Sequence, residues 1–288
     1  MMQKELAWQS KLVLLLVLPF AGVGVLLETR FWVTWQPAVV IWTLGLSALL
    51  GLVTWRLRAA TPAAAAAGAA ITANLMFSTT VFPYRPWHTA MIPVLAVSLL
   101  AFVATLIGRE KKERLGTAEK RQGRSAAQVS ANLGIAALVS NQPAQIWLTS
   151  SHWFAHVPVL LFTAALAALA EAAADTVSSE AGQVFGGRPR MITTLRSVDP
   201  GRDGAVSLAG TLLGIVAAGI VAAAGTLALG GNARLFTVSC AGGIFGLLFD
   251  SLLGATLEEH GWLNNDAVNF LSTASAAAFA MAVLAFLR

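Results

Sequence analysis

The chain alternates long apolar runs with short polar breaks. A membrane-spanning α-helix needs ~20 mostly apolar residues. About nine segments approach that length: 7–27, 37–55, 60–82, 89–108, 125–141, 153–182, 204–229, 233–257 and 268–287. The fifth is the shortest and most polar, and the third is a weak alanine and threonine run. The pattern predicts an all-α fold, a polytopic transmembrane helical bundle with its N-terminus in the cytoplasm. The first span follows Lys4 and Lys11, as a signal peptide would. No small-residue cleavage site precedes Glu28 and many spans follow, so this segment is read as a retained helix.

Composition strengthens this reading. Apolar residues make up 57% of the 288 residues and charged ones 11%, against ~25% charged in soluble domains. So few charges cannot cover a soluble surface. The single cysteine, Cys240, excludes an internal disulfide and a cysteine-rich metal site. The net charge of +5 is attributed to topology and anionic lipid, and no nucleic-acid partner is expected.

Lysine and arginine set the orientation. With alternating spans, the cytoplasmic side receives Arg56 and Arg58, the cluster from Arg109 to Arg124, and Arg188, Arg190, Arg196 and Arg202. The opposite side receives Arg30, Arg85, Arg234 and Arg288 singly. Trp8, Trp32, Trp35, Trp55, Trp87, Trp147, Trp153 and Trp262 lie at span ends, as an interfacial belt requires. Three parts follow: membrane helices in 1–108, a basic cytoplasmic loop in 109–124, and a catalytic bundle in 125–288 with cytoplasmic loops 183–203 and 258–267. The expected location is the bacterial inner membrane, with the site facing the cytoplasm.

Ionisable groups inside a membrane are costly and point to function. In the sixth span Glu171, Asp175, Ser178, Ser179 and Gly182 share one helical face, while Glu180 points away unless the helix breaks. In the eighth span Gly243, Gly246, Asp250 and Gly254 form a narrow stripe. Small residues at such spacing let helices approach closely, so Asp250 faces protein. Asp175 and Asp250 each lie ~10 Å below the cytoplasmic edge. Two close carboxylates repel unless a cation or proton intervenes. Mg²⁺ takes one or two carboxylates, keeps waters and bridges to phosphate oxygens. Asp175, Asp250 and Glu180 are the candidate ligands.

Other polar segments gather on the same side. Arg188, Arg190, Thr193 and Thr194 sit in a glycine-led loop suited to gripping phosphate, or serving only as a topology-setting loop. No Walker sequence follows the glycines. Arg124, Gln128 and Asn132 recur every four residues, on a face that binds either a polar ligand or another helix. The stretch from Glu258 through Asn265 and Asn269 is acidic and amide-rich; it suits metal or base recognition, or is a plain solvated loop. His152, His156 and His260 are read as incidental.

At these residues the chain resembles the integral-membrane family that includes plant phytyl-phosphate kinase. The likeness is carried by Arg109 to Gly116, Arg124 with Gln128 and Asn132, and Asp175-Thr176 with Ser179-Glu180. It continues through Pro189-Arg190 with Thr193-Thr194, Asp250-Ser251 with Gly254-Ala255-Thr256, and Asn265 with Asn269. It covers about 95–288, with only hydropathy in common before that. Glu258 stands where the family often has Gln, and Arg202 where a smaller polar residue is common. The resemblance implies transfer of a phosphoryl group from CTP or another nucleoside triphosphate to a prenyl monophosphate, giving the diphosphate. Mg²⁺ would bind Asp175 and Asp250, with Arg124, Arg188 and Arg190 on phosphates. The lipid tail would lie in the bilayer. Two other classes fit the paired aspartates: an ion-coupled transporter and a non-catalytic membrane protein.

Overall fold

The computed structural model describes residues 7–141, 145 and 157–287. Lys4, Trp147, His152, Trp153, His156 and Arg288 lie outside the described residues. Helices form at all nine apolar segments. They are α1 (Ala7–Trp35), α2 (Pro37–Arg56), α3 (Pro62–Ser78), α4 (Met91–Leu106), α6 (Ala126–Ser140), α7 (Val157–Phe185), α8 (Leu208–Ala228), α9 (Ala233–Leu253) and α10 (Asn265–Phe286). A short polar helix, α5 (Arg109–Leu115), follows α4.

Fewer than nine of these reach crossing length. Among the described residues six are long and apolar enough, or seven if α4 and α5, bent by 67°, count as one broken span. Helices α3 and α6 have 17 and 15 residues, about 23–26 Å of helix against a hydrocarbon core of ~30 Å. The sequence expectation of nine crossings therefore overstates the count. Apolar composition was right at each segment, but helix breaks shorten three of them. In the other direction, α1 runs past Glu28 to Trp35, and the Trp32 Nε1 donates to Glu28 at 2.8 Å inside the helix.

Helix α7 is the axis of the bundle. Its apolar window is 83% buried against 28% for α1, so α7 is wrapped by protein and α1 faces lipid. Alanines make this possible: Ala164, Ala167, Ala168, Ala170, Ala173 and Ala174 are wholly enclosed, and small side chains let backbones approach where no hydrophobic drive separates helix from lipid. Helices α7 and α9 run parallel in one constant register. Ser239 Oγ donates to the Thr163 carbonyl, Gly242 packs on Ala167 and Gly246 on Glu171. The next step along that register is Asp175 beside Asp250. Helix α8 runs antiparallel to α7, with Gly225 at Leu166 and Gly214 at Ala174. Helix α10 runs antiparallel to α9, with Ala280 and Ala276 along Gly242 and Ala276 and Ser272 along Gly246.

One end of the bundle collects the starts of α3, α6, α8 and α10. Their caps are Thr61, Ser125, Ser207 and Asn264, each accepting a backbone N–H through its side chain. The C-terminal ends of α7 and α9 lie at the same end, with the basic loops. The break after α4 is held by Lys112, which is fully buried. Its Nζ donates to the carbonyls of Ala104 and Thr105 at 3.0 and 2.8 Å and to Glu180 Oε2 at 2.6 Å. It thereby satisfies carbonyls that the helix end would leave bare.

Candidate functional site

At the basic end a polar cavity of about 310 Å³ opens between α6, α7, α9, α10 and the loop before α8. Its inner wall is the aspartate pair. Asp175 and Asp250 face the cavity side by side, at matching levels of α7 and α9. Both are half-buried, enclosed by helices yet open to the cavity. Among the described residues, Asp250 Oδ2 and Asn269 Oδ1 have no hydrogen-bond partner, nor does either oxygen of Glu171. Glu171 lies one turn deeper on α7, close to both aspartates, and is 1% exposed. Ser272 sits beside Glu171 and Asp250, but its hydroxyl donates to the Asn269 carbonyl at 3.0 Å.

Two further acids complete the wall. Gly254–Glu258 is a π-helical turn that prolongs α9. At regular helical spacing Glu258 would stand ~80° away from Asp250; one extra residue in the turn brings it to within ~20°. Glu258 thus faces the cavity, near Asp175 and Asp203. Asp203 belongs to a tight turn against the start of the π turn. Gly204 there has φ +73°, and a Cβ on it would fall 2.3 Å from the Ala255 nitrogen, so only glycine fits. Partial enclosure, and secondarily the Glu259 charge, hold the Asp203 carboxyl above its usual range, although the residue stays accessible at the mouth.

The cation facing these acids is Arg124. Its guanidinium reaches Thr176 Oγ1 at 3.5 Å and interacts with Asp175. Its backbone is clamped on the α2–α3 turn: Arg124 N donates to the Ala59 carbonyl and Thr61 N to the Arg124 carbonyl, both at 3.0 Å. Gly123, at φ +80°, lies so near Arg58 and Ala59 that a Cβ would collide with their backbone. Gln128 lines the cavity but also closes a capping box with Ser125. Arg202, also at the rim, is bound by Glu259 at 2.6 Å; this bond holds the Glu259 carboxyl below its usual range.

Residues 45–277 match the family model described as Integral membrane protein DUF92. The chain belongs to the DUF92 family. This match begins well before residue 95, where the sequence resemblance was placed, and takes in the end of α2 and all of α3. The DUF92 chain is 43% identical to Uncharacterized membrane protein MJ0933 of Methanocaldococcus jannaschii, over 38% of its own length and 45% of the relative. It is 32% identical to Uncharacterized membrane protein sll0875 of Synechocystis, over 68% and 74%. It is 31% identical to Protein VTE6, chloroplastic, of Arabidopsis thaliana, over 62% and 54%. The matched region thus spans about half the length of the archaeal and plant relatives. No solved structure matches it.

Of the site residues expected from sequence in this DUF92 chain, the fold gathers Asp175, Asp250, Arg124, Gln128, Asn132, Ser179, Asn265 and Asn269 around one cavity. Glu180 reaches its edge, but its carboxylate is engaged by Lys112 and by Thr105 Oγ1 at 3.2 Å. Because α7 continues unbroken to Phe185, Glu180 faces α4 and α5, where Lys112 and Thr105 hold its carboxylate. Arg188, Arg190, Thr193 and Thr194 are exposed and do not line the cavity. The β1 (Arg190–Met191) and β2 (Ala205–Val206) ladder folds that loop on itself, and Arg190 donates to the Leu195 carbonyl.

Sequence reasoning did not assign Glu171, Glu258 or Asp203 to the site. Among the described residues no three His, Cys, Asp or Glu side chains form a ready-made metal cluster. The donor set is nevertheless all oxygen, with Asp250 and Asn269 atoms unpartnered. That suits a hard cation held by one or two carboxylates and completed by water and phosphate.

Proposed function

We propose that the protein is a membrane-embedded phosphotransferase. It extends a prenyl-type monophosphate, of the phytyl or geranylgeranyl kind, to the diphosphate at the expense of a nucleoside triphosphate such as CTP. The observation that carries this reading is the Asp175–Asp250 pair, set with unpartnered oxygens in a polar cavity beneath Arg124. Membership of the DUF92 family, with the resemblance to a family that includes plant phytyl-phosphate kinase and the similarity to the plant protein VTE6, supports the same chemistry.

An acceptor phosphate oxygen attacks the terminal phosphorus of the nucleotide, and the bond to the bridging oxygen breaks. The nucleoside diphosphate leaves with the bonding electrons. A phosphate monoester is already largely ionised near neutral pH, so no strong general base is needed. Catalysis is then positioning and charge neutralisation. Arg124 would neutralise phosphate oxygens bidentately, and the starts of α6, α8 and α10 turn positive helix ends toward the cavity. Mg²⁺ held by Asp175 and Asp250 would supply the remaining positive charge at the transferred group. The basic loops at this end support a cytoplasmic-facing site under the positive-inside rule.

A transporter needs a polar path from Asp175 to the far end. The intervening stretch of α7 is closed by Leu160, Leu161, Ala164, Leu166 and Ala167, all buried. The test is to incubate purified protein in detergent with phytyl, geranylgeranyl or farnesyl monophosphate, CTP or ATP, and Mg²⁺. Mass spectrometry then reads the products. A prenyl diphosphate supports the reading. Folded protein that yields none with any pair contradicts it.

A further inference from the structure

A second cavity, of about 560 Å³, adjoins the first. It is a groove between α3 and α4, walled on one side by α2 and floored by α6. The two helices are pinned together at one end, where Ala90 N donates to Thr79 Oγ1 at 2.8 Å. From there the groove is lined from Thr72 and Val94 to Ala60 and Leu106, about 15 Å of helix along α3 and about 18 Å along α4. Thr72, Ser98 and Thr105 are among its lining residues, the Thr72 hydroxyl turned back onto the Gly68 carbonyl. Otherwise the lining is mostly alanine, glycine, valine, leucine and phenylalanine until the basic end. There it meets Arg58, Arg109, Lys120, Arg121 and Arg124, against two acids, Glu113 and Glu119. Arg124, Asn132 and Glu119 line both cavities. The groove is therefore continuous with the acidic cavity, and Arg124 stands at the junction.

We propose that this groove seats the hydrocarbon tail of a single-chain isoprenyl monophosphate, with its phosphate delivered to Arg124. The assignment rests on reading the polar cavity as a phosphate site. Three features select this occupant. The walls are mostly apolar over a length that suits an extended chain of on the order of a dozen carbons. The cationic surplus lies only at the mouth, where it complements an anionic headgroup. A cleft between one pair of helices takes one chain and not two. Gly68 sets the width at mid-groove. A Cβ there would make only an ordinary 3.6 Å contact with Val129, so larger side chains are tolerated by the backbone and project into the groove. Gly51 differs: a Cβ would press on the Ala65 carbonyl at 2.9 Å, so it serves the α2–α3 crossing.

The experiment uses the full chain in detergent without nucleotide or metal. The probe is an isoprenyl monophosphate carrying a tail diazirine, with cross-linked peptides located by mass spectrometry. Cross-links are expected in Ala64–Thr72 and Val94–Leu106. They should be competed by farnesyl or geranylgeranyl monophosphate and not by inorganic phosphate or two-chain phosphatidic acid. Gly68→Phe should weaken competition by the geranylgeranyl compound about tenfold, and Gly68→Ala should leave it within about twofold. Cross-links confined to the lipid-facing sides of α1 and α2, or equal competition by phosphatidic acid, overturn the proposal. Groove cross-links without turnover in the product assay would refute only the phosphotransferase reading. Turnover with cross-links elsewhere would refute only the groove.

Discussion

Asp175 and Asp250 stand at the same level of two parallel helices and line the same polar cavity. Their neighbours make this placement obligatory. Gly246 packs directly on Glu171 and Gly243 on Ala170, which fixes the register of α9 on α7 and leaves the aspartates nowhere else to go. Like charges so placed repel without a cation between them. Asp175→Asn and Asp250→Asn should each therefore raise the thermal unfolding midpoint measured in metal-free detergent. Each should also abolish the additional stabilisation that Mg²⁺ gives the native protein. A lowered midpoint with retained Mg²⁺ response would show that the pair is structural.

Gly246→Leu tests the register itself. A Cβ at this position would lie 2.5 Å from Glu171 Cγ and 2.9 Å from Ala276 Cβ. Overpacking of this kind costs about 1–3 kcal/mol. A loss of melting temperature is expected, with loss of turnover beyond the loss of folded protein. Gly219, whose Cβ would meet nothing within 4 Å, is the control: Gly219→Ala should leave both readouts unchanged.

Lys112 and Glu180 form the buried ion pair that fastens the α4–α5 break to α7. Removing one partner leaves the other charge uncompensated, so Lys112→Met should destabilise by about 3–5 kcal/mol. The double variant Lys112→Met with Glu180→Leu should recover much of that loss. Glu180→Gln should leave the Mg²⁺ concentration dependence of turnover unchanged, since this carboxylate is committed to Lys112. A shifted Mg²⁺ requirement would return Glu180 to the metal.

The Arg202–Glu259 pair at the rim gives a pH signature. Arg202 holds the Glu259 carboxyl below its ordinary value. A depressed folded-state value means that the stabilisation is present above the unfolded-state pKa, ~4.3, and is lost as pH falls through the folded value. Native protein and Arg202→Ala should differ slightly in melting temperature near neutral pH and converge in acid. A gap that widens on acidification would contradict the assignment.

The nine apolar segments and the matched depth of the two aspartates were legible because each depends on local composition or on helical spacing alone; that the sixth span is the axis of the bundle was not. Glycine spacing also disclosed which face of α9 meets protein. Glu258 was hidden because one π turn shifts its face, and spacing rules assume a regular helix. Glu171 appeared on the correct face, but nothing local distinguishes an acid behind a site from one within it. Arg188 and Arg190 look like phosphate ligands in sequence, yet a two-residue ladder decides where their loop points. The groove was invisible for the same kind of reason. It arises from how α3 and α4 separate, and the few hydroxyl residues they place along it, Thr72, Ser98 and Thr105, are ordinary in a membrane helix.

The most direct measurement follows diphosphate formation from a prenyl monophosphate and nucleoside triphosphate, in native protein and in Asp250→Asn shown to be folded, as Mg²⁺ is removed with EDTA and then restored. Product that vanishes with EDTA, returns with Mg²⁺ and is absent from Asp250→Asn is the predicted result. Equal turnover in Asp250→Asn, or turnover indifferent to EDTA, would contradict a metal-assisted phosphoryl transfer at the aspartate pair.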